Sequence, residues 1–94
     1  MRGYRILATN AWVGGYELDL VVRRGRTLVF CEVKAKEDAR FGDPLEMVGL
    51  EKRRRLRRAA TAWLAANPDH AGLDAHFELV AVRAGGVQCV QDSL

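Results

Sequence analysis

Long apolar runs, cysteines and prolines are all scarce in this chain of 94 residues, and each scarcity excludes something. No stretch of 18 apolar residues occurs, so no helix of this sequence can cross a bilayer. The first residues lack the charged-then-apolar order of a secretory leader, and a soluble, cytoplasmic protein is the expectation. The two cysteines, Cys31 and Cys89, have no zinc or redox spacing and read as core or near-core thiols. The two prolines, Pro44 and Pro68, fall at the two ends of one helical stretch. Repeats, low-complexity tracts and glycine-rich phosphate loops are missing as well.

What is present is enough for one small domain, residues 1–94. A chain this short buries only about 60–65% of its unfolded surface. With 49% hydrophobic residues it can still build a core, which argues against disorder. The net charge of +3 is less informative than its placement. Lys52 to Arg58 carries six of the 15 basic residues, leaving nine against 12 acidic ones. The positive balance therefore reads as one helix, an electrostatic footprint for a polyanion.

The stretch that organises the chain is Gly14 to Lys36. Two alternating runs, Glu17 to Arg23 and Leu28 to Lys34, flank the turn Arg24-Gly25-Arg26-Thr27. A period of two places Glu17, Asp19, Val21 and Arg23 on one face, with Leu28, Phe30, Glu32 and Lys34. The other face, Leu18/Leu20/Val22 with Val29/Cys31/Val33/Ala35, is apolar and is expected in the core. Glycine at the first central position of the turn suits a two-residue II′ hairpin. That turn sets Asp19 opposite Glu32 and Glu17 opposite Lys34. Glu17 and Lys34 can pair, whereas Asp19 and Glu32 are like charges face to face, which destabilises a sheet. A cation is wanted there, and a divalent ion on hard oxygen ligands, such as Mg²⁺, is the simplest one.

Asp19 followed by Glu32-Val33-Lys34 on the next strand resembles the PD-(D/E)xK nuclease superfamily. More closely, Gly3-Tyr4-Arg5-Ile6-Leu7-Ala8, Glu17-Leu18-Asp19-Leu20, Val29 to Lys34, Phe41-Gly42 and Lys52-Arg53-Arg54-Arg55-Leu56 are similar to the bacterial YraN-like proteins, an uncharacterised, endonuclease-like family. The likeness runs from about Gly3 to Val82. Two departures stand out. Members usually open with a helix carrying Gly-x-x-Ala-Glu, which nothing here matches. Tyr16 also separates Gly15 from Glu17, where the family commonly has Gly next to Glu.

Downstream, Asn10 to Gly15 reads as a loop in which Trp12 covers the core edge, and 36–42 reads as a polar loop. Asp43 as N-cap, Pro44 at N1 and Glu46 at N3 mark a helix start, and Asn67-Pro68 ends that helix at Ala66. Its apolar stripe is Leu45, Val48, Leu56, Ala59/Ala60, Trp63 and Leu64, and Lys52 falls on the same stripe. Arg53/Arg57 and Arg54/Arg58 are like charges one turn apart, each pair costing about 0.2–0.5 kcal/mol in an isolated helix. Glu51–Arg55 is the favourable partner pair. Six basic residues in seven positions therefore point to phosphate contact. Ala75 to Arg83 reads as an interior strand and Val87 to Val90 as an edge strand; His76 and Glu78 default to surface roles.

The expected architecture is α/β: a restriction-endonuclease-like mixed β-sheet with one long helix packed on a face. The function that the resemblance implies is divalent-metal-dependent hydrolysis of DNA phosphodiesters. Asp19, Glu32 and the Val33 carbonyl would hold Mg²⁺ or Mn²⁺, Lys34 would act on the attacking water and Glu17 would assist. Lys52, Arg53, Arg54, Arg57 and Arg58 would hold the nucleic-acid backbone. The alternatives are a non-catalytic nucleic-acid-binding module, as in DNA repair or recombination, and a structural protein in which the charges are a cross-strand ladder. Sheet surface left uncovered without the family's first helix suggests a homodimer.

Overall fold

The computed structural model describes residues 3–35, 50–83 and 86–93. The elements follow as β1 (Arg5–Val13), β2 (Tyr16–Arg24), β3 (Thr27–Ala35), α1 (Leu50–Ala66), β4 (Asp74–Arg83) and β5 (Gly86–Ser93), with a 3-10 turn at Pro68–His70. They build a five-stranded mixed sheet of order β1-β2-β3-β4-β5. Only β3 and β4 run parallel; the other neighbours are antiparallel. A parallel pair needs a crossover, and α1 lies in it, as the long passage between the strands predicts.

The β1–β2 and β2–β3 hairpins owe their tightness to glycine. Arg24 pairs with Thr27 across Gly25, whose φ is +58, and Arg26 stays out of the positive region, the II′ pattern. Gly14 and Gly15 are both positive, at +62 and +77, which is the I′ pattern. That second turn corrects the expected loop at Asn10 to Gly15. Two adjacent glycines let the chain reverse in two residues, so the ladder continues to Val13↔Tyr16. Trp12 is consequently a strand residue, 74% exposed, and covers no core edge.

The β2–β3 register is the one that the turn dictates, from Arg24↔Thr27 to Leu20↔Cys31. The alternation of β2 does not persist through its whole length. Val22 packs with Val29 and Cys31 on the face expected to be the core, but the helix covers the other face, where Val21 meets Leu28, Phe30 and α1, and Val33 of the expected core face is 44% exposed. Leu18, however, joins Val21 on the helix side, while Leu20 joins the opposite cluster. Two residues three apart can share a face only if the strand turns over between them. The turnover falls at Asp19. Opposite it in the β1 register stands Asn10, held at φ +49, a conformation that asparagine tolerates better than most residues.

On the helix side, Leu56, Ala59, Ala60 and Trp63 present one stripe at helical spacing to Leu18, Val21, Phe30 and Phe77. Trp63 meets Phe30 edge-on at 5.8 Å between centroids, and Phe77 meets it at 6.0 Å, both favourable aromatic geometries. The helix stops where the sequence predicts. Asn67 donates through its side chain to Trp63 O at 2.8 Å and through its backbone to Leu64 O at 3.2 Å, occupying carbonyls that the helix end leaves open. The expected start at Asp43-Pro44, with Glu46, Leu45 and Val48, lies outside the described residues.

The I′ turn is pressed against α1. A Cβ added at Gly14 would lie 3.2 Å from Ala59 Cα, 3.2 Å from Ala62 Cβ and 3.3 Å from Arg58 O, whereas one at Gly15 would meet nothing within 4 Å. Gly15→Ala should therefore cost only its backbone strain, about 1–2 kcal/mol. Gly14→Ala should cost that and a further 1–3 kcal/mol, roughly, because helix backbone cannot yield as a flexible side chain does. Denaturant midpoints of the two variants check the order; equal losses would mean that the turn and helix are not in register.

Candidate active site and nucleic-acid interface

The turnover of β2 decides what gathers around β3. Tyr16 and Leu18 are turned toward α1, and the Tyr16 hydroxyl donates to Glu32 Oε1 at 3.0 Å. Glu32 is the buried charged side chain among the described residues, only 7% exposed, on a strand flanked by β2 and β4. A carboxylate in that position needs hydrogen bonds to offset its lost hydration, and the phenol supplies one. Asp19 is handled differently. Its Oδ2 accepts from the Val33 backbone N–H at 2.9 Å. The β2–β3 ladder stops at Leu20↔Cys31, so the expected direct pairing of Asp19 with Glu32 does not extend the ladder; Asp19 reaches across to the main chain one residue beyond Glu32.

Electrostatics place both acids around one phenol. Burial first, then the charge of Glu32 and the hydrogen bond to it, then the charge of Asp19, hold the Tyr16 hydroxyl well above the ordinary tyrosine range. Arg55 pulls in the other direction, so it too stands within range. The site is thus Tyr16, Asp19, Glu32 and Arg55. Arg55 is the cation that strand pairing alone does not assign. Tyr16 and Arg55 are the two residues missing from the sequence-based set. Arg55 was legible in its spacing, since it lies four residues before the core residue Ala59. Tyr16 was visible only as a departure from a pattern.

Glu17 is not brought to these carboxylates. It is exposed and alternates with Tyr16 and Leu18, which pack toward the helix, so it lies on the opposite face, across from Trp12. Its expected pairing with Lys34 involves a side chain outside the described residues. Lys34 sits on β3 two residues after Glu32, and its side chain, like that of Lys52 on α1, lies outside the described residues. Among the described residues no group of three or more His, Cys, Asp or Glu side chains assembles. No helix there is long and apolar enough to cross a membrane.

Arg53, Arg54, Arg57 and Arg58 are exposed along α1, as an anion-binding face requires. Arg54, Arg57 and Arg58 line a shallow groove of about 560 Å³ with Thr61, Ala62 and Ala65. Of the histidine and cysteine readings, one changes and one holds. His76 is half-buried rather than a surface residue, with Nε2 enclosed and without a hydrogen-bond partner among the described residues. Cys31 is buried, as expected.

The Tyr16–Glu32 contact yields a pH test. Removing the phenol in Tyr16→Phe takes a donor from a buried acceptor and should cost about 1–3 kcal/mol at neutral pH. The folded-state pKa of Tyr16 is raised, so its stabilisation is complete below the unfolded value near 10 and is lost as pH climbs above it. The stability gap between wild type and Tyr16→Phe should therefore narrow above about pH 10. Chemical denaturation from pH 7 to 11, in steps, measures it; a gap constant to the end would exclude the phenol as Glu32's donor.

Residues 1–82 match the uncharacterised protein family UPF0102. A UPF0102 protein of Xanthomonas campestris pv. campestris is 49% identical over 78 residues, which are 83% of this chain and 64% of that one. One from Nitratidesulfovibrio vulgaris is 40% identical over 92 residues, 98% of this chain and 68% of that one. A third, from Methylorubrum extorquens, is 44% identical over 82 residues, 87% and 62% of the two chains. The chain thus spans about two thirds of the length of these relatives. With the match covering four of the five strands and the helix, this chain belongs to the UPF0102 family, the YraN-like proteins.

Proposed function

We propose that this chain is a divalent-metal-dependent nuclease acting on DNA phosphodiesters. The observation that carries the reading is that Asp19 and the buried carboxylate of Glu32 both lie within range of Tyr16, beside a helix that presents a row of arginines. Asp19 and Glu32 offer hard carboxylate oxygens and Val33 a carbonyl, donors that suit Mg²⁺ or Mn²⁺. Bound there, such an ion supplies a more acidic water and charge compensation at the scissile phosphate. The chain's own residues do the rest. The Tyr16 hydroxyl fixes the rotamer of Glu32, and the Val33 N–H fixes that of Asp19. Lys34, two residues beyond Glu32 on the strand, holds or moves the proton of the attacking water. Lys52, Arg53, Arg54, Arg57 and Arg58 hold the phosphate backbone, and Arg55 adds positive charge at the carboxylates.

A second reading is a nucleic-acid-binding module without catalysis. Arg55 favours it, because a resident cation near the two acids reduces the demand for a metal. The two readings part on metal. In the nuclease, Mg²⁺ or Mn²⁺ binds the folded state alone and stabilises it by RT ln(1 + [L]/Kd), about 1.4 kcal/mol at ten times Kd. That corresponds to roughly 5–10 °C in Tm for a domain of this size. Asp19→Asn should abolish the response and leave the apo protein as stable, because an amide oxygen still accepts from Val33 N–H. Lys34→Ala should keep the response and lose cleavage. A calorimetric scan of the three proteins with millimolar Mn²⁺ separates the cases, and no shift in the wild type would defeat the nuclease reading.

Both readings share the basic helix. If Arg53, Arg54, Arg57 and Arg58 each neutralise one phosphate, log K against log[salt] should include a contribution near −3.6 from them, about −0.9 per contact. Arg54→Ala with Arg58→Ala should make the slope shallower by about 1.8. A slope indifferent to that pair would take α1 off the binding surface.

A further inference from the structure

A second basic cluster lies at the other end of the sheet. Gly3, Arg5, Arg23, Arg24 and Gly25 line an open pocket of about 390 Å³. All five are described residues, and none is acidic. Arg5 and Arg23 are cross-strand partners on β1 and β2, like charges directly opposite each other, an arrangement that opposes sheet formation. Arg24, the next residue of β2, reaches the same pocket from the opposite face of the strand, its guanidinium 6.0 Å from the centroid of the Tyr4 ring. The sequence spreads these residues over 20 positions, so no charge run announces them.

The arginines are held rather than left to wander. Arg23 Nε donates to Gly25 O at 2.9 Å, and its Nη1 meets His70 Nδ1 at 3.0 Å. A guanidinium can only donate, so the imidazole nitrogen is the acceptor. Nearby, Arg26 Nη2 donates to Gly72 O at 3.2 Å, tying the same hairpin to the loop before β4. Gly3 keeps the pocket open: its φ is +77, and a Cβ there would lie 3.4 Å from Arg24 Nε. Oriented guanidinium forks around a bare glycine suit a tetrahedral oxyanion better than a flexible lysine would.

We propose that Arg5, Arg23 and Arg24 form a second phosphate site, which clamps one backbone phosphate of a bound nucleic acid. It rests on the reading of the chain as a nucleic-acid-binding protein, and it adds the footprint. Five strand steps separate Arg24 from Asp19, about 17 Å at 3.3–3.4 Å each. Phosphates along one strand of a duplex advance about 3.4 Å apiece along the axis while winding around it, so the clamp and the carboxylates would meet phosphates a few nucleotides apart on one strand. One contact at each end of the sheet, with α1 contributing a third, would fix the direction of the backbone across the protein.

The test uses the full chain, labelled with ¹⁵N and titrated with inorganic phosphate and separately with a 16-base-pair duplex. The amides of Gly3 and Gly25 should shift with both, and Arg5→Glu should abolish those shifts. In parallel, Arg5→Ala with Arg24→Ala should flatten the duplex salt slope by about 1.8, additively with the α1 pair. A duplex that binds, shifts α1 amides and keeps its slope in the Arg5/Arg24 variant overturns the clamp while sparing the functional reading. Shifts with free phosphate but none with duplex overturn the nucleic-acid source of the anion. Shifts confined to an acidic peptide titrated alongside assign the pocket to a protein partner and overturn it too. A wild-type chain that binds no duplex at all sinks the clamp and the functional reading together.

Discussion

Burying the Glu32 carboxylate is the constraint on which the local structure depends. Glu32 sits on the central strand, enclosed by strands on both sides, where an ionised group is tolerated only with partners. The Tyr16 hydroxyl is one of them, and it can reach only because β2 turns over at Asp19. That turnover is shared with Asn10 on β1, whose positive φ lets the neighbouring strand follow. Four features that look separate in the chain, an asparagine, an aspartate, a tyrosine and a glutamate, are thus one arrangement.

The same turnover ties the site to the core. By turning Leu18 and Tyr16 toward α1, it adds them to the cluster around Phe30 and Trp63. The helix that completes this cluster also brings Arg55 within range of Tyr16 and leaves it exposed, like Arg53, Arg54, Arg57 and Arg58. Packing and charge placement are therefore set by one helical phase. Rotating α1 to improve one would spoil the other. The Gly14 contact, where the I′ turn lies against Ala59 and Ala62, fixes how closely the helix can approach.

Basic residues at the hairpin end give the sheet a second positive pole. The charge reading from the linear chain put the positive balance in one helix. In three dimensions Arg5 and Arg23 also meet, because antiparallel pairing brings residues 18 apart in the chain into register, and Arg24 lines the same pocket. Charge summed over windows cannot detect this; register can.

Element order along the chain, the II′ turn, the β2–β3 register near that turn and the helix end at Asn67-Pro68 were determined by local chemistry. Glycine, proline and period-two alternation act within a few residues and are legible there. So were the Asp19, Glu32 and arginine components of the site. What the tertiary structure alone decided is the fate of alternation beyond the first few pairs. A strict period of two grouped Glu17 with Asp19 and sent Leu18 to the far side. The turnover at Asn10 and Asp19 reversed both, removing Glu17 from the site and bringing Tyr16 in. The physical reason is that a local pattern assumes an unbroken pleat. Whether the pleat continues depends on what the two faces must bury, here a carboxylate on β3 and the side chains of a helix more than 30 residues farther along the chain.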